Sequence, residues 1–125
     1  ARVIRMNIQE HAINDITVLD LDGNFVIGRH GQFRKHVSDN IEAGGRRLIL
    51  NLAKVAYIDS SGLGELVSCY TAMQSVGGTL KLIHLNDRLN KILVLTKLIT
   101  VFETFDSESA AISSFTNLIQ SRVDH

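Results

Sequence analysis

Apolar residues along the chain form two patterns. Some occur in short continuous runs, which are typical of buried strands, and others recur every three to four residues, which is typical of amphipathic helices. Runs typical of strands occur at Val3–Ile8, Ile16–Leu21, Phe25–Ile27, Leu48–Leu52, Thr79–Leu85 and Val101–Phe105. Helical repeats occur at Phe33–Ile41, Leu63–Tyr70, Asp87–Leu95 and Asp106–Arg122. Strands that alternate with helices predict an α/β fold, and we interpret residues 1–125 as a single domain.

Polar residues and glycines mark the predicted boundaries. The region from His11 to Asn14-Asp15 is predicted to turn the first strand into the second. A second turn at Asp22–Asn24 would complete a small meander with the run that starts at Phe25. Gly44-Gly45 is expected to end the first helix, and Asp106 to cap the last one. The residues that the last helix is predicted to bury are Ala111, Phe115, Leu118 and Ile119.

Composition narrows the class of protein. A chain of 125 residues with 45% hydrophobic content can bury one ordinary core. Thirteen Lys and Arg balance thirteen Asp and Glu, so no overall positive field favours nucleic acid or an anionic membrane. Cys69 is the one cysteine, and a buried structural thiol is expected there. No apolar stretch approaches the roughly 20 residues of a membrane span, and the first residues lack the apolar core of a signal peptide, so we expect the cytoplasm.

The segment Tyr57–Gly64 places an acid and two hydroxyls where a strand pattern stops and a helical one begins. Asp and Ser are preferred helix caps, which explains the residue types at 59 and 60. A cap does not require Gly62 and Gly64, because each glycine costs about 1 kcal/mol relative to alanine within a helix. We therefore expect these glycines to keep the surface open, so that another protein can approach a hydroxyl at the helix start.

These residues carry a family resemblance. Asp59-Ser60-Ser61-Gly62-Leu63-Gly64 resembles the Asp-Ser-Ser/Thr-Gly-Leu-Gly phosphorylation motif of anti-sigma factor antagonists, which are built on the STAS domain. The likeness covers most of the chain and implies a mixed sheet of about 4–6 strands, with about four helices packed mainly on one face. One departure is visible: Val26 occupies the place where an aspartate often lines the family's site.

The resemblance implies a switch at Ser60. In the family the first hydroxyl after the aspartate is phosphorylated by a partner that is both an anti-sigma factor and a serine kinase. The unphosphorylated protein would bind this partner, phosphorylation would release it, and a serine phosphatase would reset the switch. Asp59 would orient the serine or help its proton to leave. The residues expected to supply the helix start and part of the docking surface are Ser61, Gly62, Leu63 and Gly64.

The same resemblance implies a protein that is not an enzyme, needs no cofactor or metal, and is a monomer or weak dimer. Two alternatives remain open. A STAS module could bind a small molecule or lipid without phosphorylation, which the exchange to Val26 would suit. A serine hydrolase could use Ser60 or Ser61, but the segment lacks the Gly-x-Ser-x-Gly elbow. The five histidines show no metal-ligand spacing.

Overall fold

The structure is a computed structural model that describes residues 6–26 and 31–123, with side chains described as far as residue 115. Five strands form one sheet in the order β1-β2-β3-β4-β5. β1 pairs antiparallel with β2, and each later pair of neighbours is parallel. The strands are β1 Asn7–Ile13, β2 Ile16–Asp22, β3 Arg47–Lys54, β4 Thr79–Ile83 and β5 Glu103–Phe105.

Three helices cover one face of this sheet and one helix covers the other. They are α1 Gly31–Glu42, α2 Ser60–Ser75, α3 Asp87–Leu95 and α4 Glu108–Val123, with a 3-10 turn at Leu98–Thr100. Alternate residues of β3 point to opposite faces, so Leu48 and Leu50 pack with α1, α2 and α3 while Ile49 packs with α4. The prediction of a mixed α/β sheet with helices mainly on one face is confirmed.

Several predicted elements are confirmed closely. β3 lies at the centre of the sheet, as its continuous apolar run indicates. α3 has the predicted bounds, because Asn86 caps it by accepting a hydrogen bond from the Leu89 N–H at 2.8 Å. Gly44, with φ of +92°, follows the end of α1 in a conformation that glycine adopts readily. β4 stops at Ile83, two residues earlier than predicted, since His84 has φ of +60°.

Other boundaries were predicted wrongly. The strand predicted at Val3–Ile8 is in fact β1, Asn7–Ile13, so His11 lies in a strand and the turn is confined to Asn14-Asp15; residues 1–5 lie outside the described residues. β1 is an edge strand whose side chains are mostly exposed. Because few of its residues are apolar, the apolar pattern did not reveal it.

The ends of the predicted meander and of the last helix also differ. Phe25 forms only an isolated parallel bridge with Ile58, and no third strand of a meander continues through Val26. The last helix is capped by Ser107 rather than Asp106, since the Ser107 hydroxyl accepts from the Ala110 N–H at 3.1 Å. Ala111 and Phe115 are buried as predicted, while the side chains of Leu118 and Ile119 lie outside the description.

Candidate functional site

The candidate site is the start of α2, reached by a short connection from the carboxyl end of β3. Asp59 is the N-cap, with an extended backbone, and its Oδ1 accepts a hydrogen bond from the Gly62 N–H at 2.8 Å. The Asp59 carbonyl in turn accepts from the Leu63 N–H at 2.9 Å. These two bonds begin the helix, so Ser60 is its first residue.

The two serines differ in exposure. Ser60 is exposed, whereas Ser61 is half-buried. Leu63 is also half-buried and packs against the larger apolar cluster, which fixes which side of the first turn faces inward. An anion on Ser60 would lie at the positive end of the helix dipole, where the first N–H groups lack partners within the helix.

The two glycines of this turn serve different purposes. Nothing lies within 4 Å of a Cβ built on Gly64, so this position leaves the surface open, as predicted. The same explanation is wrong for Gly62, which is buried. A Cβ there would overlap the carbonyl oxygen of Phe25 and lie 2.6 Å from its Cδ1. Gly62 therefore permits a close internal approach, which the local sequence does not reveal.

Phe25 connects the site to the segment that follows β2. Its N–H donates to the carbonyl of Tyr57 at 2.9 Å, and its carbonyl accepts from the Asp59 N–H at 3.2 Å. Val26, the residue that replaces the family's frequent aspartate, follows directly and is half-buried. Val26 therefore lies next to a residue that contacts the start of α2, as the resemblance implies. The role of its side chain stays a prediction.

A charged pair beside the site was missed by sequence reasoning. Glu65 of α2 is only 9% exposed and accepts hydrogen bonds from Nε and Nη2 of Arg34 on α1, the former at 3.3 Å. These hydrogen bonds and the carboxylate charge raise the pKa of Arg34. Glu65 lies four residues before Cys69, so the helical spacing places both on the inward face of α2. A carboxylate on that face needs a partner, and this was the signal in the sequence.

Cys69 lies in the core, and His11 lies between two carboxylates. Cys69 is buried as predicted, and its burial, with a smaller contribution from the charge of Glu65, raises the pKa of the thiol to about 12. His11 lies 3.2 Å from Asp20 and 3.1 Å from Glu108. Within residues 6–26 and 31–123, no cluster of three or more His, Cys, Asp or Glu could hold a metal ion.

No helix among the described residues is both long and apolar enough to cross a membrane.

Known proteins resemble this chain in sequence and in fold. The TM1081 homologue of Thermotoga neapolitana is 30% identical over 101 residues, which cover 80% of this chain and 89% of that protein. The anti-sigma F factor antagonist of Paenibacillus polymyxa is 26% identical over 100 residues, covering 73% of this chain and 86% of the relative.

Solved structures share the fold. The crystal structure of TM1081 from Thermotoga maritima has a TM-score of 0.81 at 27% identity, covering 86% of this chain and 92% of that one. The anti-sigma factor antagonist SpoIIAA in its unphosphorylated form has a TM-score of 0.69 at 21% identity, covering 88% and 98%. SpoIIAA has also been solved in its phosphorylated form. The STAS domain family model matches residues 7–111. The chain therefore belongs to the STAS-domain family, among the anti-sigma factor antagonists.

Proposed function

We propose that the chain is a phosphorylation-switched regulator that binds an anti-sigma factor when Ser60 is unphosphorylated and releases it when Ser60 carries phosphate. The observation that carries this proposal is the placement of Ser60, an exposed hydroxyl on the first residue of α2 and directly after the Asp59 cap. The matched motif and the relatives named as anti-sigma factor antagonists support the same assignment.

The fold is suited to tolerate a phosphate at Ser60. A phosphate adds about −1.5 to −2 charge at neutral pH and three strong acceptors. The positive end of the helix dipole favours this anion by about 0.3–1 kcal/mol, while the neighbouring Asp59 repels it by a comparable amount in high dielectric. Because the two effects nearly cancel and Ser60 is exposed, phosphorylation leaves the stability of the domain almost unchanged.

A bound partner would not tolerate the phosphate in the same way. A protein docked over the start of α2 must either desolvate the added charge or meet it with an acid of its own. An unpaired charged group in an interface costs several kcal/mol. A loss of about 3 kcal/mol weakens binding roughly 150-fold, which is enough to separate a bound state from a free one. The modification therefore switches binding rather than folding.

In this proposal the chain itself performs no catalysis. ATP and magnesium belong to the kinase, which is also the anti-sigma partner, and a separate serine phosphatase restores the hydroxyl. Asp59 uses Oδ1 to hold the Gly62 N–H, so its first task is to fix the helix start that presents Ser60. We place this exchange in the cytoplasm, where the kinase finds ATP.

Mass spectrometry tests the proposal directly. The chain is incubated with Mg-ATP and each histidine-kinase-like ATPase encoded in its genome, and tryptic peptide 55–81, which contains both serines, is sequenced. We expect phosphate on Ser60, loss of labelling in Ser60→Ala, and retention of at least part of it in Ser61→Ala. Phosphate confined to Ser61, or no phosphate with an ATPase that binds the chain tightly, would contradict the proposal.

A further inference from the structure

We propose that Phe25, which lies outside the serine motif, is a positioning residue for Ser60 in addition to the Asp59 cap; the inference rests on the switch proposed above. The backbone of Phe25 forms a short parallel bridge with Ile58. Its N–H donates to Tyr57 O at 2.9 Å and its carbonyl accepts from Asp59 N at 3.2 Å. The two bonds flank Ile58 and end one residue before Ser60.

The ring of Phe25 fixes that backbone within the core. It is fully buried and packs edge-to-face on Phe33 of α1, with ring centroids 5.0 Å apart and planes at 75°. A ring held in this way leaves the Phe25 carbonyl little freedom to shift. The position of Asp59 is thereby tied to the packing between α1 and the sheet.

The same carbonyl also limits the chain on the other side of the serine. Gly62 lies against it so closely that any side chain at 62 would overlap it. Phe25 O therefore contacts the residue before Ser60 and the residue two positions after it. Since the Ser60 side chain is itself exposed, its hydroxyl takes its position from these backbone contacts.

Position matters because a kinase must align one hydroxyl with the transferred phosphoryl group. A displacement of about 1 Å can slow a positioned reaction by about 100-fold. Ser61 is half-buried and adjacent, so a shift of the helix start changes which of the two hydroxyls is presented. The ratio of phosphate on Ser60 to phosphate on Ser61 is therefore a measure of position that does not depend on the total amount of protein labelled.

Two matched pairs of variants test the inference. Phe25→Leu removes a buried ring behind the site, and Phe115→Leu removes one on the opposite face of the sheet. Gly62→Ala adds a methyl group against Phe25, and Gly31→Ala adds one in open space at the start of α1, away from the serine motif. Two readouts are compared with those of the wild type: the phosphate ratio in peptide 55–81, and hydrogen exchange of the Asp59 amide relative to the Asn90 amide, which bonds Asn86 O at 2.9 Å.

We expect Phe25→Leu and Gly62→Ala to lower the phosphate ratio at least tenfold and to raise the relative exchange of the Asp59 amide at least tenfold. The two control variants should match the wild type in both readouts. Equal behaviour of Phe25→Leu and Phe115→Leu would overturn the positioning role while leaving the switch intact. If the wild type takes no phosphate on Ser60, the proposed function fails, and the exchange readout alone decides whether Phe25 holds the helix start.

Discussion

The two faces of the sheet are packed by different means. On the face that carries Ser60, helices α1, α2 and α3 cover a large apolar cluster, and backbone contacts place the start of α2. On the opposite face, α4 covers a smaller apolar cluster beside Lys81, which is fully buried. The Lys81 ammonium donates to the Ser114 hydroxyl, lies 3.2 Å from the Glu103 carboxylate, and stands 4.2 Å from the ring centroid of Phe115.

We infer that this difference separates the stability of the domain from the proposed switch. A lysine is rarely buried unless its charge is paired, and here the pairing joins β4 to β5 and α4. The α4 face thus depends on buried side chains that fill the space under α4 and pair the Lys81 charge. The α2 face holds an exposed hydroxyl by means of main-chain groups, so its charge can change while the packing beneath it stays the same.

Truncation of Lys81 should have the largest effect on folding. Lys81→Ala removes a long buried stem and leaves a cavity under α4, and we expect a loss of about 3 kcal/mol in the free energy of unfolding. Lys81→Met keeps most of the volume, and the remaining Glu103 carboxylate is 55% exposed to water, so this change should cost under about 1 kcal/mol. Urea denaturation measures both. Partner affinity of the folded Lys81→Met variant should equal that of the wild type, and a clear loss of affinity there would contradict the separation of the faces.

The two glycines of α2 should respond in opposite directions. Gly62→Ala forces a methyl group against the Phe25 backbone, and overpacking of this kind costs about 1–3 kcal/mol. Gly64→Ala meets open space and gains helix propensity, so it should stabilise the domain by up to about 1 kcal/mol. Thermal melting of the two variants beside the wild type gives both signs. A Gly62→Ala variant as stable as the wild type would mean that the Phe25 segment can move aside.

The sequence predicts those features of the molecule that depend on residues close together in the chain. Elements with local signals were predicted well: β3 from its apolar run, and α3 from its repeat. The motif also located the exposed serine at a helix start, because cap chemistry is local. The wrong predictions concern contacts between residues that are far apart in the sequence. Phe25 reads as part of a strand, yet it bridges Ile58, more than 30 positions away.

Burial of polar groups escaped prediction for the same reason. Lys81 alternates with Leu80 and Leu82, so the strand pattern assigns it to the opposite face, which is often solvent. It is buried by contacts with α4, including the one with Ser114, which lies 33 residues later in the chain. The pairing of Glu65 with Arg34 likewise depends on how α1 meets α2. Such contacts are set by tertiary packing, which periodicity within one element does not encode.

A negative charge at Ser60 should alter the affinity for the proposed partner far more than the stability of the domain. Ser60→Asp places a carboxylate at the helix start, where Asp is tolerated, so the free energy of unfolding should change by less than about 1 kcal/mol. Partner affinity should fall about tenfold or more, although a carboxylate carries only part of a phosphate's charge. Ser60→Ala should bind constitutively. Calorimetric melting and titration use the same samples, and an Asp variant that melts far below the wild type while keeping its affinity would make Ser60 a structural cap.

The smallest effect is expected from Cys69, and only in alkali. Burial raises the pKa of this thiol from 9.0 to about 12, so the unfolded chain loses the proton at a lower pH than the folded one. The folded state is thus favoured below about pH 9, and this contribution is lost as the pH rises toward 12, by up to about 1.4 kcal/mol for each unit. Between pH 9 and 10, the wild type should lose about 1 kcal/mol more than Cys69→Ala in urea denaturation. Parallel losses in the two proteins would show that the thiolate forms as readily in the folded domain as in the unfolded chain, which the burial of Cys69 against Glu65 argues against.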